Sequence, residues 1–520
     1  MKKVAIDEHY IPRNFSVTSL SRGLVVGSGV GLDALILFYF GFSKETDAYF
    51  AALAIPALIS STLDVQIQKV LIPFCMRSLR SSEKETVSEV LSNFAGICTL
   101  ILAVGALLLA GFSHTVIPLL VPGFGNEVVL LAVELGGILP WIMVLGGANA
   151  TLQSILLSHH RYGLVPLTKL VSNSVSILAL VTLHKNLGVY ALAIGALVGS
   201  ACAFSLTLIA TRRLGFHYKM ICDLNNAQVR HMFRSLLYPL GGHALGECKT
   251  LVENCLLSFL TSGSLSALRY SSRIVETMVS VTVGSIATST LPLVSHYAAE
   301  KKIELMKTSV LKSIKFLLFI ACPMSIWLIF SGDSLVMLLF GRGKFSLEDA
   351  ELTGALISLM TPYIVMSRMS TIMQSMFYAV DDTKTPAISA VINFFANVIV
   401  AIGCIKIIGI YAFPVASSVG ALCTAVGMSL VLHRRFGALG WKKLEVFAGQ
   451  FSAVLAMTTL AFVVSAGVRD YLSPHLFSEQ VIAFVVPSAI GGVAFCAASL
   501  IFGIVSLQGC RGFFRSSRAL

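Results

Sequence analysis

The chain has 520 residues, of which 56% are apolar and only 12% charged, with a formal net charge of +12. A soluble domain carries about 25% charged residues, so the composition excludes a water-soluble enzyme and points to lipid as the solvent. The eleven cysteines are scattered without a C-x-x-C pair, which excludes a zinc or disulfide framework and leaves inert packing.

Residues 1–16 are polar, and the apolar stretch after them is too long for the core of a cleavable signal peptide. Runs of about 20 mostly apolar residues, enough to cross roughly 30 Å of hydrocarbon, follow in three groups. The first six fall near 17–40, 47–72, 88–112, 128–156, 163–184 and 188–211. Six more fall near 233–262, 266–297, 309–331, 350–378, 386–407 and 409–432, and a final pair near 446–467 and 481–506. The expected fold class is thus an all-α polytopic membrane protein with 14 transmembrane helices.

Loop charges agree with an even count. Lys44, Lys185, Arg342, Lys344, Lys406 and Arg469 fall on one side, while the other collects several times as many, from Lys2 and Lys3 to Arg511, Arg515 and Arg518. The positive-inside rule puts both termini in the cytoplasm. The net positive charge is then a collar facing anionic headgroups and needs no nucleic acid.

The sequence also reads twice. LQSILLSHHRYGLVP (152–166) returns as MQSMFYAVDDTKTPA (373–387), and GVYALAIGALVG (188–199) as GIYAFPVASSVG (409–420). Asn173 pairs with Asn393, Arg212-Arg213 with Arg434-Arg435, and LIPF (71–74) with TLPL (290–293). Six crossings per copy is an even number, so both copies enter the membrane in the same orientation, related by an axis along its normal. The expected organisation is an N-lobe (1–211), a basic cytoplasmic linker with a surface helix (212–232), a C-lobe (233–435), and a C-terminal helix pair with a basic tail (436–520). A cavity is expected between the two pseudo-symmetric six-helix lobes. The 113–127 and 332–349 segments take equivalent places near the outer interface. Gly27, Gly29, Gly31, Pro56 and Pro140 are sites of close helix packing or, alternatively, of bending.

Ionisable groups inside apolar spans are costly and face a cavity or a partner. Span 1 holds Arg22 and Asp33; span 2 holds Asp64 and Lys69, with Asp47 at its mouth. Span 7 holds His243, Glu247, Lys249 and Glu253, and span 8 holds Arg269, Arg273 and Glu276 at i, i+4, i+7, one helical stripe. Glu134, Lys169 and Arg368 stand alone. Guanidinium groups bind phosphate oxygens bidentately. Arg22 and Arg273, helped by Arg269, Lys69 and Lys249, suit a pyrophosphate headgroup whose lipid tail stays in the bilayer. Asp33, Asp47, Glu247, Glu253 and Glu276 suit gating, neutralisation of the empty site, or a coupling H+ or Na+. The bland alternatives are snorkelling for Arg22 and a structural pair for Arg273 and Glu276. No G-x-x-x-x-G-K-[ST], H-E-x-x-H or G-x-S-x-G motif accompanies them, so no ATP-driven pump, catalytic centre, metal site or cofactor is expected.

FGFSKETDAYFAALAIPALI (40–59), VPGF (121–124), SFLTSGSLSALRYSSRIVE (258–276), TLPLVSH (290–296), LLFGRGKFS (338–346) and FYAVDDTKTPA (377–387) carry a resemblance over about residues 17–435. Together they resemble the MurJ/MviN family of lipid II flippases, within the multidrug/oligosaccharidyl-lipid/polysaccharide exporter superfamily. The resemblance implies inward-to-outward movement of the undecaprenyl-linked peptidoglycan precursor through a cationic cavity, driven by membrane potential or an ion gradient, by a protein expected to be monomeric. It matches Arg22 to the family's first-helix arginine, Asp47 to its T-D-A aspartate and Arg273 to its span-8 cavity arginine, with Glu276 beside it. Two family arginines are absent: one position holds Leu32, before Asp33, and the other falls at Ser60 or Ser61. Other readings are a flippase for an O-antigen or exopolysaccharide unit, a cation-coupled drug exporter, an intramembrane glycosyltransferase, and a binding scaffold. The extra helix pair and basic residues disfavour the exporter, and the short loops disfavour the glycosyltransferase.

Overall fold

A computed structural model describes residues 10–78, 84–159, 161, 163–216, 223, 225–282, 284–380, 382–437, 441–472 and 477–501. Among these residues the chain is helical throughout and contains no strand. Its helices are α1 (Tyr10–Phe40), α2 (Lys44–Ser78), α3 (Lys84–Gly111), α4 (Ser113–Leu120), α5 (Asn126–Leu135), α6 (Trp141–Ser158), α7 (Leu164–Leu187), α8 (Tyr190–Arg213) and α9 (Ala227–Leu257). They continue as α10 (Ser264–Thr282), α11 (Gly284–Ala299), α12 (Ile303–Phe340), α13 (Leu347–Tyr378), α14 (Lys384–Ile408), α15 (Ala412–Phe436), α16 (Trp441–Leu472) and α17 (Phe477–Ile501). Ten helical stretches among the described residues are long and apolar enough to cross a membrane, one of them, Lys384–Phe436, taking in both α14 and α15. Large apolar side chains stand outward on these stretches, such as Ile407, Ile399 and Val493. In water such a surface would aggregate; in hydrocarbon it is solvated.

The chain divides into two compact units, Met1–Ser266 and Ala267–Leu520. In the first, α2 packs along α6 and against α5 and α9, α7 pairs with α8, and α1 lies along α7. Ile67 and Leu71 of α2, Phe94 of α3, Leu152 and Ile155 of α6, and Met232 of α9 belong to one apolar cluster. In the second unit α12 and α13 are the longest contact pair, α15 packs on α13 and α14, and the pair α16–α17 seats on α12. That seat is aromatic: Phe319 lies 5.1 Å from Phe495 between ring centres, and the Trp327 indole N–H donates to Ser488 Oγ at 2.8 Å.

Helix ends follow local chemistry. Asn226 caps α9 by accepting from the backbone N–H of Gln228 and Val229. Ser346 and Asp349 close a reciprocal capping box on α13. Gly188 ends α7 at φ +54° and Gly409 ends α14 at φ +57°, a left-handed turn that L side chains adopt at a cost. These two glycines lie about 220 residues apart, as do the first residues of α5 and α13, so the duplication read from sequence extends to helix boundaries.

Two sequence expectations change. The span expected at 128–156 is two helices, because α5 stops at Leu135 and α6 starts at Trp141, with Gly136, Gly137 and Pro140 between. The equivalence of 113–127 and 332–349 is looser than expected: the first contains the separate helix α4, whereas α12 runs on to Phe340 and leaves only 341–346 outside helix. Gly27, Gly29, Gly31 and Pro56, sites of close packing or alternatively of bending, lie inside the continuous helices α1 and α2, and Pro140 lies between α5 and α6. In the 212–232 linker, where a surface helix is expected, α8 ends at Arg213 and α9 begins at Ala227, and 217–222 and 224 lie outside the described residues.

Candidate functional site

The T-D-A motif opens α2, and the structure gives its aspartate a definite task. Asp47 is 1% exposed. Its carboxylate accepts hydrogen bonds from the Gly263 N–H at 2.6 Å, the Ser266 N–H at 3.0 Å and the Ser266 hydroxyl at 2.7 Å. A carboxylate there satisfies the orphan amides that begin α10 and meets the positive end of its dipole. Gly263 holds φ +89°, and a Cβ on it would come within 2.9 Å of Phe42 Cβ, so the turn requires glycine. A second clasp lies alongside. Gly123 N–H donates to Ser258 Oγ at 2.9 Å, and a Cβ at Gly123 would meet the Ser258–Phe259 backbone at 2.6 Å. An open cleft beside these clasps is lined by Lys44, Asn126, Glu127, Leu260 and Ser262, and an exposed Lys44–Glu127 ion pair of 2.9 Å stands at its rim.

Deeper in the first unit a polar chain links three helices. Gln68 Nε2 donates to Asp64 Oδ1 at 2.9 Å and to Gln153 Oε1 at 3.3 Å; Gln153 Nε2 donates to Thr168 Oγ1 at 3.2 Å. Lys169, on the next residue of α7, lies within electrostatic range of Asp64. The second copy repeats one link, Gln374 Nε2 to Ser389 Oγ at 3.4 Å. This chain was missed as a unit from sequence, although the duplicated glutamine marked it.

The remaining expected residues are placed as follows. Asp33 on α1 is 5% exposed. Lys69 on α2 is exposed, with its ammonium 3.3 Å from Gln66 Oε1. Lys249 and Glu253 form a partly buried pair of 3.5 Å along α9. On α10 one side buries Ala267, Leu268, Ile274 and Val275, while Arg269 is half-buried and Arg273 and Glu276 are exposed, so the i, i+4, i+7 stripe exists as a face. Arg22 and Glu247 lie on α1 and α9, with side chains outside the described residues. Asp47 is thus brought together with the start of α10, and Lys249 with Glu253. Among the described residues no three His, Cys, Asp or Glu side chains gather as a metal cluster.

The family model described as "Lipid II flippase MurJ" matches residues 36–486. The chain belongs to the lipid II flippase MurJ family. A protein of Aquifex aeolicus (strain VF5) named "Probable lipid II flippase MurJ" is 27% identical over 396 residues, covering 75% of this chain and 77% of that one. One of Buchnera aphidicola subsp. Baizongia pistaciae (strain Bp), with the same name, is 25% identical over 377 residues, covering 71% and 72%. Among solved structures, "Lipid II flippase MurJ, inward closed conformation" aligns with a TM-score of 0.77 at 22% identity, over 93% of this chain and 98% of that one. An inward-facing multidrug resistance MATE family transporter of the MOP superfamily aligns at 0.65 and 15% identity, over 79% and 94%. Flippases and drug exporters therefore share this fold, and the family match, not the fold, separates them.

Proposed function

We propose that this protein carries lipid II from the inner to the outer leaflet of the bacterial inner membrane by alternating access. The observation that carries the reading is the MurJ family match along residues 36–486. Membership in a flippase family supports transport as its work. The chemistry of the intramembrane charges supports it: a pyrophosphate needs bidentate cations, whereas the polyprenyl tail needs none because lipid already solvates it. In this reading Arg22 and Arg273 hold the pyrophosphate, with Arg269, Lys69 and Lys249 adding positive potential. Asp33, Glu247, Glu253 and Glu276 balance that charge when the site is empty or carry the coupling H+ or Na+. Asp47 acts as a gate element, since its three hydrogen bonds to residues 263–266 would have to break for α2 to leave the start of α10. The same proposal holds fourteen crossings, lobes of 1–211 and 233–435 joined by 212–232, a C-terminal pair in 436–520, both termini in the cytoplasm, and a monomer.

A second reading, transport of a different polyprenyl-linked glycan, is favoured by Leu32 and Ser60 or Ser61 standing where the family resemblance places arginines. Complementation of a strain depleted of its own lipid II flippase tests both. The wild-type chain is expected to restore growth, and Arg273→Ala to fail while still accumulating in the membrane. Normal growth with Arg273→Ala removes Arg273 as a headgroup ligand, and failure of the wild-type chain at normal membrane abundance favours the other glycan.

A further inference from the structure

The interface between α2 and α6 contains oxygen atoms with nothing to bind. Gln68 meets Gln153, and Ser60 Oγ lies 3.4 Å from where a Cβ would stand on Gly146. Both contacts give the same parallel register, so Asp64 stands level with Asn149 and Ala150. Ser60, Asp64 and Gln68 follow at i, i+4, i+8 on one stripe of α2, and Gly146, Asn149 and Gln153 on the facing stripe of α6. Gly146 lets the two backbones approach here.

Ser60 Oγ and Asn149 Oδ1 are both shut off from solvent and have no hydrogen-bond partner. Level with them in register, Asp64 Oδ1 accepts a hydrogen bond from Gln68 Nε2 at 2.9 Å. A buried acceptor left unmatched is costly, and two beside an intramembrane carboxylate suit a positively charged occupant. A water, with two protons to donate, would serve the two orphan oxygens but leave the carboxylate to Lys169 alone. A hard monovalent cation takes just such oxygens: carboxylate, amide carbonyl and hydroxyl. The second copy carries no carboxylate at the corresponding place (283–285), so the arrangement is not a by-product of duplication.

We infer that the first unit holds a sodium-class cation site between α2 and α6, with Asp64, Asn149 and Ser60 as its protein ligands. Lys169 is its tethered rival: its ammonium acts on the same carboxylate from α7. Cation arrival displaces that attraction and frees α7 from α2, while cation departure restores it. The Gln68–Gln153–Thr168 chain joins the same three helices, so occupancy is felt across all of them. The inference deepens the transport reading by supplying a coupling ion, yet its test contains no lipid substrate and stands or falls separately.

The test is saturation binding of radioactive sodium to the full-length protein in nanodiscs, at constant ionic strength in choline chloride. Wild type is expected to bind sodium saturably, and Asp64→Asn to lose one equivalent. Asn149→Leu should weaken that equivalent about tenfold, as expected for one good oxygen ligand worth about 1.4 kcal/mol. Lys169→Met should tighten it by removing the rival charge. Were Asp64→Asn not to fold, Asn149→Asp carries the test, because a second carboxylate tightens sodium at a real site and changes nothing without one. No saturable sodium in wild type, or unchanged stoichiometry and affinity in folded Asp64→Asn, overturns the site.

Discussion

The two copies of the repeat solve the same problem with different helices. In the first, the third and fourth crossings are interrupted: α3 passes into α4 through Phe112 (φ −99°, ψ 14°), and α5 stops five residues before α6 begins. In the second, α12 and α13 run unbroken for 38 and 32 residues, although α12 contains Pro323 and α13 contains Pro362. Proline alone therefore does not decide where a helix breaks. Packing does. A Cβ on Gly354 would meet the Asp333 backbone at 2.8 Å, so α12 and α13 touch almost backbone to backbone, and Ile357 fills the space beside Gly332. In the first copy the residue equivalent to Gly354 is Val133, buried and too large for that approach, and the pair equivalent to Ile357-Ser358 is Gly136-Gly137. The freed outer segment is instead clasped by Ser258 and carries the Lys44–Glu127 pair.

Substitutions can break or sharpen this contrast. The largest effect is expected at Asp47, whose place in the second copy falls at Ser266 or Ala267, without a carboxylate. Asp47→Ala leaves the Gly263 and Ser266 amides buried without an acceptor, a loss of about 3 kcal/mol or more. Melting of the purified protein should fall by several degrees, with Asp47→Asn in between. Next is Gly354→Val, which writes the first copy's residue into the second. It should cost about 1–3 kcal/mol through overpacking and speed hydrogen exchange at the α12–α13 contact, whereas Val133→Gly should leave that contact unchanged. Smallest is an acid effect confined to the second copy. Asp382 accepts from the backbone N–H of Thr385 and Lys384 and from the Thr385 hydroxyl, and it pairs with Arg435. The Thr385 backbone bond chiefly, with that hydroxyl and Arg435, holds its carboxyl below the ordinary value. A lowered folded pKa means the contribution is complete above the unfolded value of about 3.9 and is lost as pH falls below it. Exchange in the first turn of α14 should rise below about pH 4, while the first turn of α7, where Arg161 takes the equivalent place, stays constant.

Much of the fold was legible because periodicity and duplication are local. Gln153 and Gln374 each bond a hydroxyl fifteen residues on, and Gly188 and Gly409 each end a helix in the left-handed region. The break at 136–140 was not legible, because a Gly-Gly pair and a nearby Pro in an apolar stretch are tolerated or not according to the neighbouring helix. The site was half legible. Charge in an apolar span marked Asp47, Arg273 and Lys249 as costly, but the partners of Asp47 lie more than 200 residues downstream and no spacing rule reaches them. The orphan oxygens at Ser60 and Asn149 are invisible in sequence, since a serine and an asparagine are unremarkable until their surroundings are known to be dry.

The most direct measurement is the amount of lipid II accessible on the outer face of the inner membrane, in cells from which this protein is depleted. The account predicts that outer-leaflet lipid II falls while lipid II inside accumulates, and that restoring the wild-type chain reverses both. Undiminished outer-leaflet lipid II after depletion, with no other lipid II flippase present, would contradict it.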